Sequence, residues 1–369
     1  MQCLACSLKA AFRTALLQRF ACRVTLRSCV DGAGGCTSIV SIMHLLHKIE
    51  LTWIAAFQGD CSWSRLMVWF SYLGAQALPF LLAFVYFVVS KKQGQRLYFL
   101  FTVSAVFLHI LKFAFHLPRP FWVEPRIKAL TSSGGYGLPS GHVLGATVAW
   151  LFFAKSVGKK WIWACCLIFV AVVSISRVYL GVHFISDVVA AWAIGLGLIW
   201  AFDVVERKTA PRLTQLNLLV QLGLAAGSTA VLLALGCGAR WLAEGSDSSA
   251  WQTFGIGARD LSGLFHATGE FFGAGIGISL IARVPFGLSG SWWKRVAGFA
   301  CALAGAWLIR EAARSLPHVK WEPVHLILQF VSGGAMTFWM LFVAPLILRA
   351  LDLTSGPTMT HSCSDGTAR

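Results

Sequence analysis

Three short patterns bring together residues able to bind and transfer a phosphoryl group. Lys112 is followed by Arg119 and Pro120, then comes Pro139-Ser140-Gly141-His142, and then Ser176-Arg177, His183 and Asp187. Lys112, Arg119 and Arg177 would make a compact cationic pocket. Arginine forks match phosphate oxygens at two points, and lysine adds a point charge. Ser140, Gly141 and His142 stand where a loop enters a predicted helix, so unpaired backbone N–H groups and the helix dipole favour an anion there. Gly141 lets the backbone approach that anion closely. His183 and Asp187 are spaced to share one helical face. The carboxylate can hold one ring nitrogen as a donor and leave the other free to attack. His142 is placed to protonate the leaving oxygen and then to activate water. The cations would stabilise charge on the equatorial oxygens of the transition state. This is the equipment of phosphoryl transfer without a metal or other cofactor.

Each piece alone has a plain structural reading. A lone histidine on an apolar helix is more often packed than catalytic, a lysine near a helix end snorkels, and an arginine there anchors at an interface. Those readings are kept for His44, His47, His109, His116, His266, His318, His325 and His361. The ordered set on one face is what sets the others apart.

The elements that must position the set are apolar helices. Of the 369 residues, 57% are hydrophobic and 12% charged, with a mean hydropathy of +0.69. A soluble domain carries about twice that charge, so composition excludes an ordinary globular chain. Hydropathy predicts spanning segments at about 67–89, 97–116, 141–155, 161–179, 184–203, 215–237, 262–283, 293–312 and 324–348, each near bilayer length. An amphipathic stretch with His47, Lys48 and Glu50 precedes them and suits an interfacial helix. Residues 1–42 carry five arginines and lysines, one acid and five cysteines. They read as a basic extension, disordered or a targeting segment, or as a start assigned too early, with Met43 the true start.

The net charge of +16 falls mainly in short loops. No basic stripe with interleaved aromatics indicates nucleic acid as a partner. One alternate set of loops holds Lys91, Lys92 and Arg96; Lys155, Lys159 and Lys160; Arg207, Lys208 and Arg212; and Arg283, Lys294 and Arg295. By the positive-inside rule that set is cytoplasmic. All three chemical patterns then lie at the opposite face. Cys165, Cys166, Cys237 and Cys301 fall inside apolar segments, where packing is their default role and no metal is expected.

At these positions the chain resembles the type 2 phosphatidic acid phosphatase superfamily. KFAFHLPRP, PSGH and SRVYLGVHFISD match its signature at every position, and the similarity covers about residues 45–203. The resemblance implies an all-α polytopic membrane bundle with a six-helix phosphatase core, the interfacial helix at 45–58 plus five spanning helices. It implies a phosphohistidine on His183 assisted by Asp187, with His142 as acid and base. Lys112, Arg119, Ser140, Gly141 and Arg177 would bind phosphate. Vanadium haloperoxidases and soluble acid phosphatases share the pattern, but membrane embedding points to a lipid phosphate or pyrophosphate, of undecaprenyl pyrophosphate or phosphatidic acid type. Bacterial members place the site toward the periplasm, so the expected location is a bacterial inner membrane.

The domain reading is therefore a core at 43–203, additional transmembrane helices at 204–350 and a polar, disordered tail at 351–369. Trp122 reads as a headgroup-level anchor and residues 132–135 as a flexible lid over the pocket mouth, with Glu124 exposed or facing a second phosphate. Gly273, Gly275 and Gly277 read as close helix packing. Glu270, Arg310 and Glu311 are ionisable groups in or near the membrane that pair or mark function. Membrane lipids are the surroundings, and a homo-oligomeric state is left open. Two other classes share these motifs: a transferase passing the phosphoryl group or headgroup to an alcohol, and a non-enzymatic membrane protein with an anion site.

Overall fold

The structure, a computed structural model, describes residues 39–243, 252–315 and 321–355. Two compact units divide the chain, Met1–Glu50 and Leu51–Arg369. The described part of the first is helical and opens α1 (Ile39–Gln58). The expectation for the basic extension otherwise lies outside the described residues, as does that for residues 356–369.

Among the described residues of the second unit, eight stretches are long and apolar enough to cross a membrane. They are α2 with its π-helical end (Ser64–Val89), α3 (Lys91–Phe115) continuing to the short α4 (Pro120–Val123), α6 (Lys160–Tyr179), α7 (Ile185–Leu213), α8 (Leu218–Ala243), the short α9 (Gln252–Ala258) with α10 (Ser262–Ile281), α11 (Trp292–Ser315), and α12 (Glu322–Phe338) continuing through a π turn into α13 (Ala344–Ala350). The remaining expected segment is α5 (Gly141–Val157), of 17 residues. It is about 26 Å long, less than a bilayer's hydrocarbon core. Ten of its 17 residues are buried, on a face packed against neighbouring helices. Several helices outrun the predicted segments because they continue past the apolar stretch into their charged ends.

Helix ends follow local chemistry. Ser90 caps α3, its hydroxyl accepting from Gln93 N–H, and His116 closes that helix in the left-handed region at φ 36°. Arg119 precedes Pro120, whose fixed φ suits the first position of α4. Gly181, at φ +70°, turns the chain between α6 and α7; a Cβ there would stand 2.6 Å from the Lys128 carbonyl.

Helix α3 is the pivot. On one side it packs on α5, within the group α2, α5, α6 and α7; on the other it meets α8 and α10. Within residues 204–350, α10 packs closely on α12. Gly269 faces the Phe330 carbonyl and Gly273 the Gly334 carbonyl, with a hypothetical Cβ at 2.0 and 2.3 Å. Gly277 meets Leu341, and Gly275 turns instead to Ala225 of α8. The glycine-rich run is thus packing surface, where small residues let backbones approach. Glu270 pairs with His266 at 3.5 Å, and Glu311 with Arg314 at 3.0 Å.

The loops read as cytoplasmic gather at one end of the bundle. Arg96 contacts both Asp203 and Glu206, and Lys155 also pairs with Asp203. Lys91 donates to the Phe286 carbonyl and Arg295 to that of Val88. Thr354 and Ser355, expected in a disordered tail, pair with Gly287 and Leu288 as a two-stranded antiparallel ladder. Their backbone groups find partners in that short loop, a pairing that residue types do not announce.

Candidate active site

The ends of four helices and one loop build a buried cluster at the opposite end from those charged pairs. Lys112 ends α3, Arg177 ends α6, Ser140 and Gly141 begin α5, and His183 and Asp187 lie at the start of α7. Arg119 comes from the intervening 117–140 loop. Lys112, Arg119, Ser140, Arg177, His183 and Asp187 are all buried, Arg119 and Arg177 to 1% exposure. Charged groups persist at such depth only when paired and hydrogen-bonded.

Asp187 has two tasks. Its Oδ2 accepts from the Phe184 N–H at 3.0 Å, capping α7, and lies 3.1 Å from His183 Nδ1. The other ring nitrogen, Nε2, is 3.2 Å from Arg119 Nη1. A guanidinium only donates, so Nε2 must be the acceptor and Nδ1 must carry the proton. Burial holds the His183 imidazole well below its ordinary pKa, and the nearby charges of Arg119, Arg177 and Lys112 push the same way. The result is a neutral imidazole, with its proton on Asp187's side and a lone pair on the cationic side.

The rest of the Arg119 fork is held by main chain. Nε donates to the Gly135 carbonyl at 2.8 Å, and Nη2 to those of Gly134 at 2.6 Å and Tyr136 at 3.2 Å. Nη1 also donates to Val182 O at 2.7 Å. Lys112 Nζ donates to Tyr136 O at 2.9 Å. Residues 132–135, expected to form a flexible lid, are therefore tied down at residues 134 and 135. Gly137 makes this possible: a Cβ there would stand 2.6 Å from the Pro118 carbonyl and 3.1 Å from Asp187 Oδ2.

Arg177 donates through Nη1 to the Ser71 hydroxyl of α2. Its Nε, and the Ser140 hydroxyl, are buried without a hydrogen-bond partner among the described residues. Such orphans are uncommon in folded proteins, and an anion's oxygens would satisfy both. His142, half-buried, occupies the first turn of α5. Every catalytic or phosphate-binding candidate from the sequence thus falls in this one region. Among the described residues, no group of three or more His, Cys, Asp or Glu side chains could hold a metal ion.

At the mouth one expectation changes, and of the two readings of Glu124 one falls away. Trp122 is buried, not a headgroup-level anchor, because Phe254 of α9 stacks on it at 5.5 Å while Tyr136 meets it edge-on at 6.3 Å. Glu124 is committed to Arg126 at 3.0 Å rather than to a second phosphate, and that guanidinium holds its carboxyl below the usual range. Sequence reasoning misses the carbonyls of Gly134, Gly135, Tyr136 and Val182, since main-chain acceptors leave no residue-type signature. It also misses Gln58, whose amide donates to the Lys128 and Tyr179 carbonyls and accepts from the Lys128 N–H. The density of glycines from 134 to 137 is the available signal.

Comparison with known proteins identifies the family. Residues 94–209 match the PAP2 superfamily model, and residues 265–356 match the model described as the PAP2 superfamily phosphatase, transmembrane extension. Undecaprenyl-diphosphatase of Sulfolobus acidocaldarius is 31% identical over 165 residues, covering 44% of this chain and 77% of that protein. Phosphatidylglycerophosphatase B of Bacillus subtilis is 31% identical over 24% of this chain and 49% of its own length. Lipid A 4'-phosphatase of Porphyromonas gingivalis is 31% identical over 31% and 54%. The chain thus spans about half the length of the last two. No solved structure matches it. With an almost wholly helical membrane bundle, the full signature gathered in one region and both family models matched in order, this chain belongs to the PAP2 superfamily, as an integral membrane phosphatase with the transmembrane extension.

Proposed function

We propose that the chain hydrolyses a lipid phosphate or lipid pyrophosphate through a phosphohistidine on His183, at the non-cytoplasmic face of a bacterial inner membrane. His183 Nε2 attacks phosphorus, the P–O bond to the leaving group breaks, and His142 gives that oxygen its proton. Water then attacks the phosphohistidine while His142 takes a proton from it. The P–N bond breaks, phosphate leaves and the Nε2 lone pair returns. Asp187 keeps the Nδ1 proton in place and stabilises the positive charge on the imidazole of the intermediate. Lys112, Arg119, Arg177, Ser140 and the Gly141 backbone N–H hold the equatorial oxygens.

The observation that carries this reading is the arrangement around His183, with Nδ1 on Asp187 and Nε2 turned to Arg119. A site for passive anion binding has no need of an imidazole with its lone pair aimed among cations. The lipid class is supported by the site's place at the ends of apolar helices and by the three relatives, whose names all denote enzymes acting on membrane-lipid phosphates or diphosphates. The test is phosphate release by detergent-purified protein with chelator present, from undecaprenyl pyrophosphate and from phosphatidic acid. Release should vanish in His183→Ala. A new phosphoester in place of free phosphate would convert the reading to the transferase one.

A further inference from the structure

The helices beyond residue 204 are not needed to supply any residue of the chemical cluster, yet one of them reaches it through aromatic rings. Phe254 of α9 is stacked on Trp122, with centroids 5.5 Å and planes 5° apart, and meets Phe121 edge-on at 5.9 Å. Trp122 is in turn edge-on to Tyr136 at 6.3 Å, and His116 meets Tyr136 from another side at the same distance. Ala258, also on α9, joins Trp122 and Tyr136 in one buried cluster. Tyr136 is fully buried, and its carbonyl accepts from both Lys112 and Arg119.

Besides those rings, the segment is held through its main chain, by the carbonyls of Gly134 and Gly135 on Arg119 and by the Gly137 N–H on the Leu117 carbonyl. Gly134 and Gly135 contribute carbonyls to Arg119 but no side chains, and the space around a Cβ at Gly134 is open among the described residues. Glycine backbone carries the largest conformational entropy, so such a strap wanders unless an adjoining residue is anchored. Tyr136 is that anchor, and Trp122 and Phe254 back it.

We propose that Phe254 is a positioning residue for the phosphatase reaction. Through Trp122 and Tyr136 it keeps the 134–136 carbonyls on Arg119 and Lys112, and so fixes the guanidinium plane beside His183 Nε2. The C-terminal helices thereby tune the catalytic cations of the core. The inference rests on the phosphatase reading above. Because Arg119 Nη1 lies where the phosphoryl group becomes attached, a tilt of its plane acts on the transition state more than on lipid binding.

The experiment compares full-length wild type with Phe254→Ala, Phe254→Leu and Phe254→Trp, using phosphate release from a defined lipid phosphate in detergent micelles. Trp307→Ala, at an exposed position on α11, serves as the control. Wild type is measured first: no phosphate release from it overturns the phosphatase reading itself, and this inference with it. With active wild type, Phe254→Ala should lower kcat about two- to tenfold, the change an aromatic pair of this kind corresponds to. KM should stay within about twofold, Phe254→Trp should recover the rate, and the control should match wild type. An unchanged kcat, or a rise in KM alone, overturns the positioning role and leaves the phosphatase reading intact. Should the alanine variant fail to fold, the leucine and tryptophan variants decide, and equal rates for those two overturn the proposal.

Discussion

Arg119 Nη1 lies 3.2 Å from His183 Nε2, while Asp187 Oδ2 lies 3.1 Å from His183 Nδ1. A permanent donor on one side and a carboxylate on the other leave the imidazole only one neutral tautomer. Asp187→Asn keeps an oxygen for the Phe184 N–H and for Nδ1, but removes the negative charge that would stabilise the imidazolium of the intermediate. We expect phosphate release to fall by about 10²- to 10⁴-fold with the protein still folded. Retention of more than about a tenth of the rate would remove Asp187 from the mechanism.

His142→Ala should separate the two halves of the reaction. A leaving group of low pKa, such as p-nitrophenolate, departs without a proton donor, whereas activation of water still needs the base. With p-nitrophenyl phosphate the variant should show a burst of nitrophenol, then slow turnover, and acid-labile phosphate on the protein. Equal slowing of both phases, with no phosphoprotein, would argue against the dual role.

The neutral state of His183 has a consequence for stability against pH. Its folded pKa lies well below that of the free imidazole, near 6.5. Above that range both folded and unfolded chains leave it unprotonated, and it contributes nothing to the pH dependence. As pH falls below the range, the unfolded chain takes up a proton that the fold refuses, so stability drops by up to about 1.4 kcal/mol per pH unit. His183→Ala should therefore lose less stability than wild type between about pH 7 and about pH 5, by thermal denaturation in detergent. Parallel profiles would contradict a neutral His183.

Two glycines close in sequence should behave oppositely. A Cβ at Gly137 would press on the Pro118 carbonyl and on Asp187 Oδ2, while one at Gly134 meets nothing within 4 Å among the described residues. Gly137→Ala is expected to destabilise the protein by about 1–3 kcal/mol and to lower kcat as well, because the displaced atom orients His183. Gly134→Ala should keep the melting temperature and most of the activity. Similar effects from the two substitutions would show that the crowding at Gly137 is not what matters.

The side-chain chemistry is legible in the sequence because it is written in residue types of fixed spacing. Lysine, arginine, serine, histidine and aspartate at these intervals need only the alternation of apolar segments and basic loops to be placed on one face. What stays hidden is carried by main chain or by distant contacts. Nothing in the sequence says that the Arg119 fork is gripped by the carbonyls of Gly134, Gly135 and Tyr136, or that Ser71 of α2 receives Arg177. Trp122 misleads, since tryptophan near a membrane surface suits the headgroup region in general. Only the fold reveals that Phe254 covers it. Asp203 and Glu206 escape notice for a related reason: the positive-inside rule counts bases, and these two acids sit among them as partners of Arg96.

The seam between α10 and α12 bears on how the protein is made. Gly269 and Gly273 accept the backbone of α12 at distances no larger residue allows, and Glu270 lies on the same helix. In chain order α11 is synthesised between the two partners. Translation therefore releases α10 with a bare glycine face and a carboxyl group in its middle, and its mate arrives only after another span has been threaded. Through that interval α10 has α3 and α8 to pack on but lacks α12, its most extensive partner. The seam makes completion of the last helices a checkpoint for the whole molecule: a chain truncated after α11 should be degraded, although every residue of its catalytic cluster has already been made.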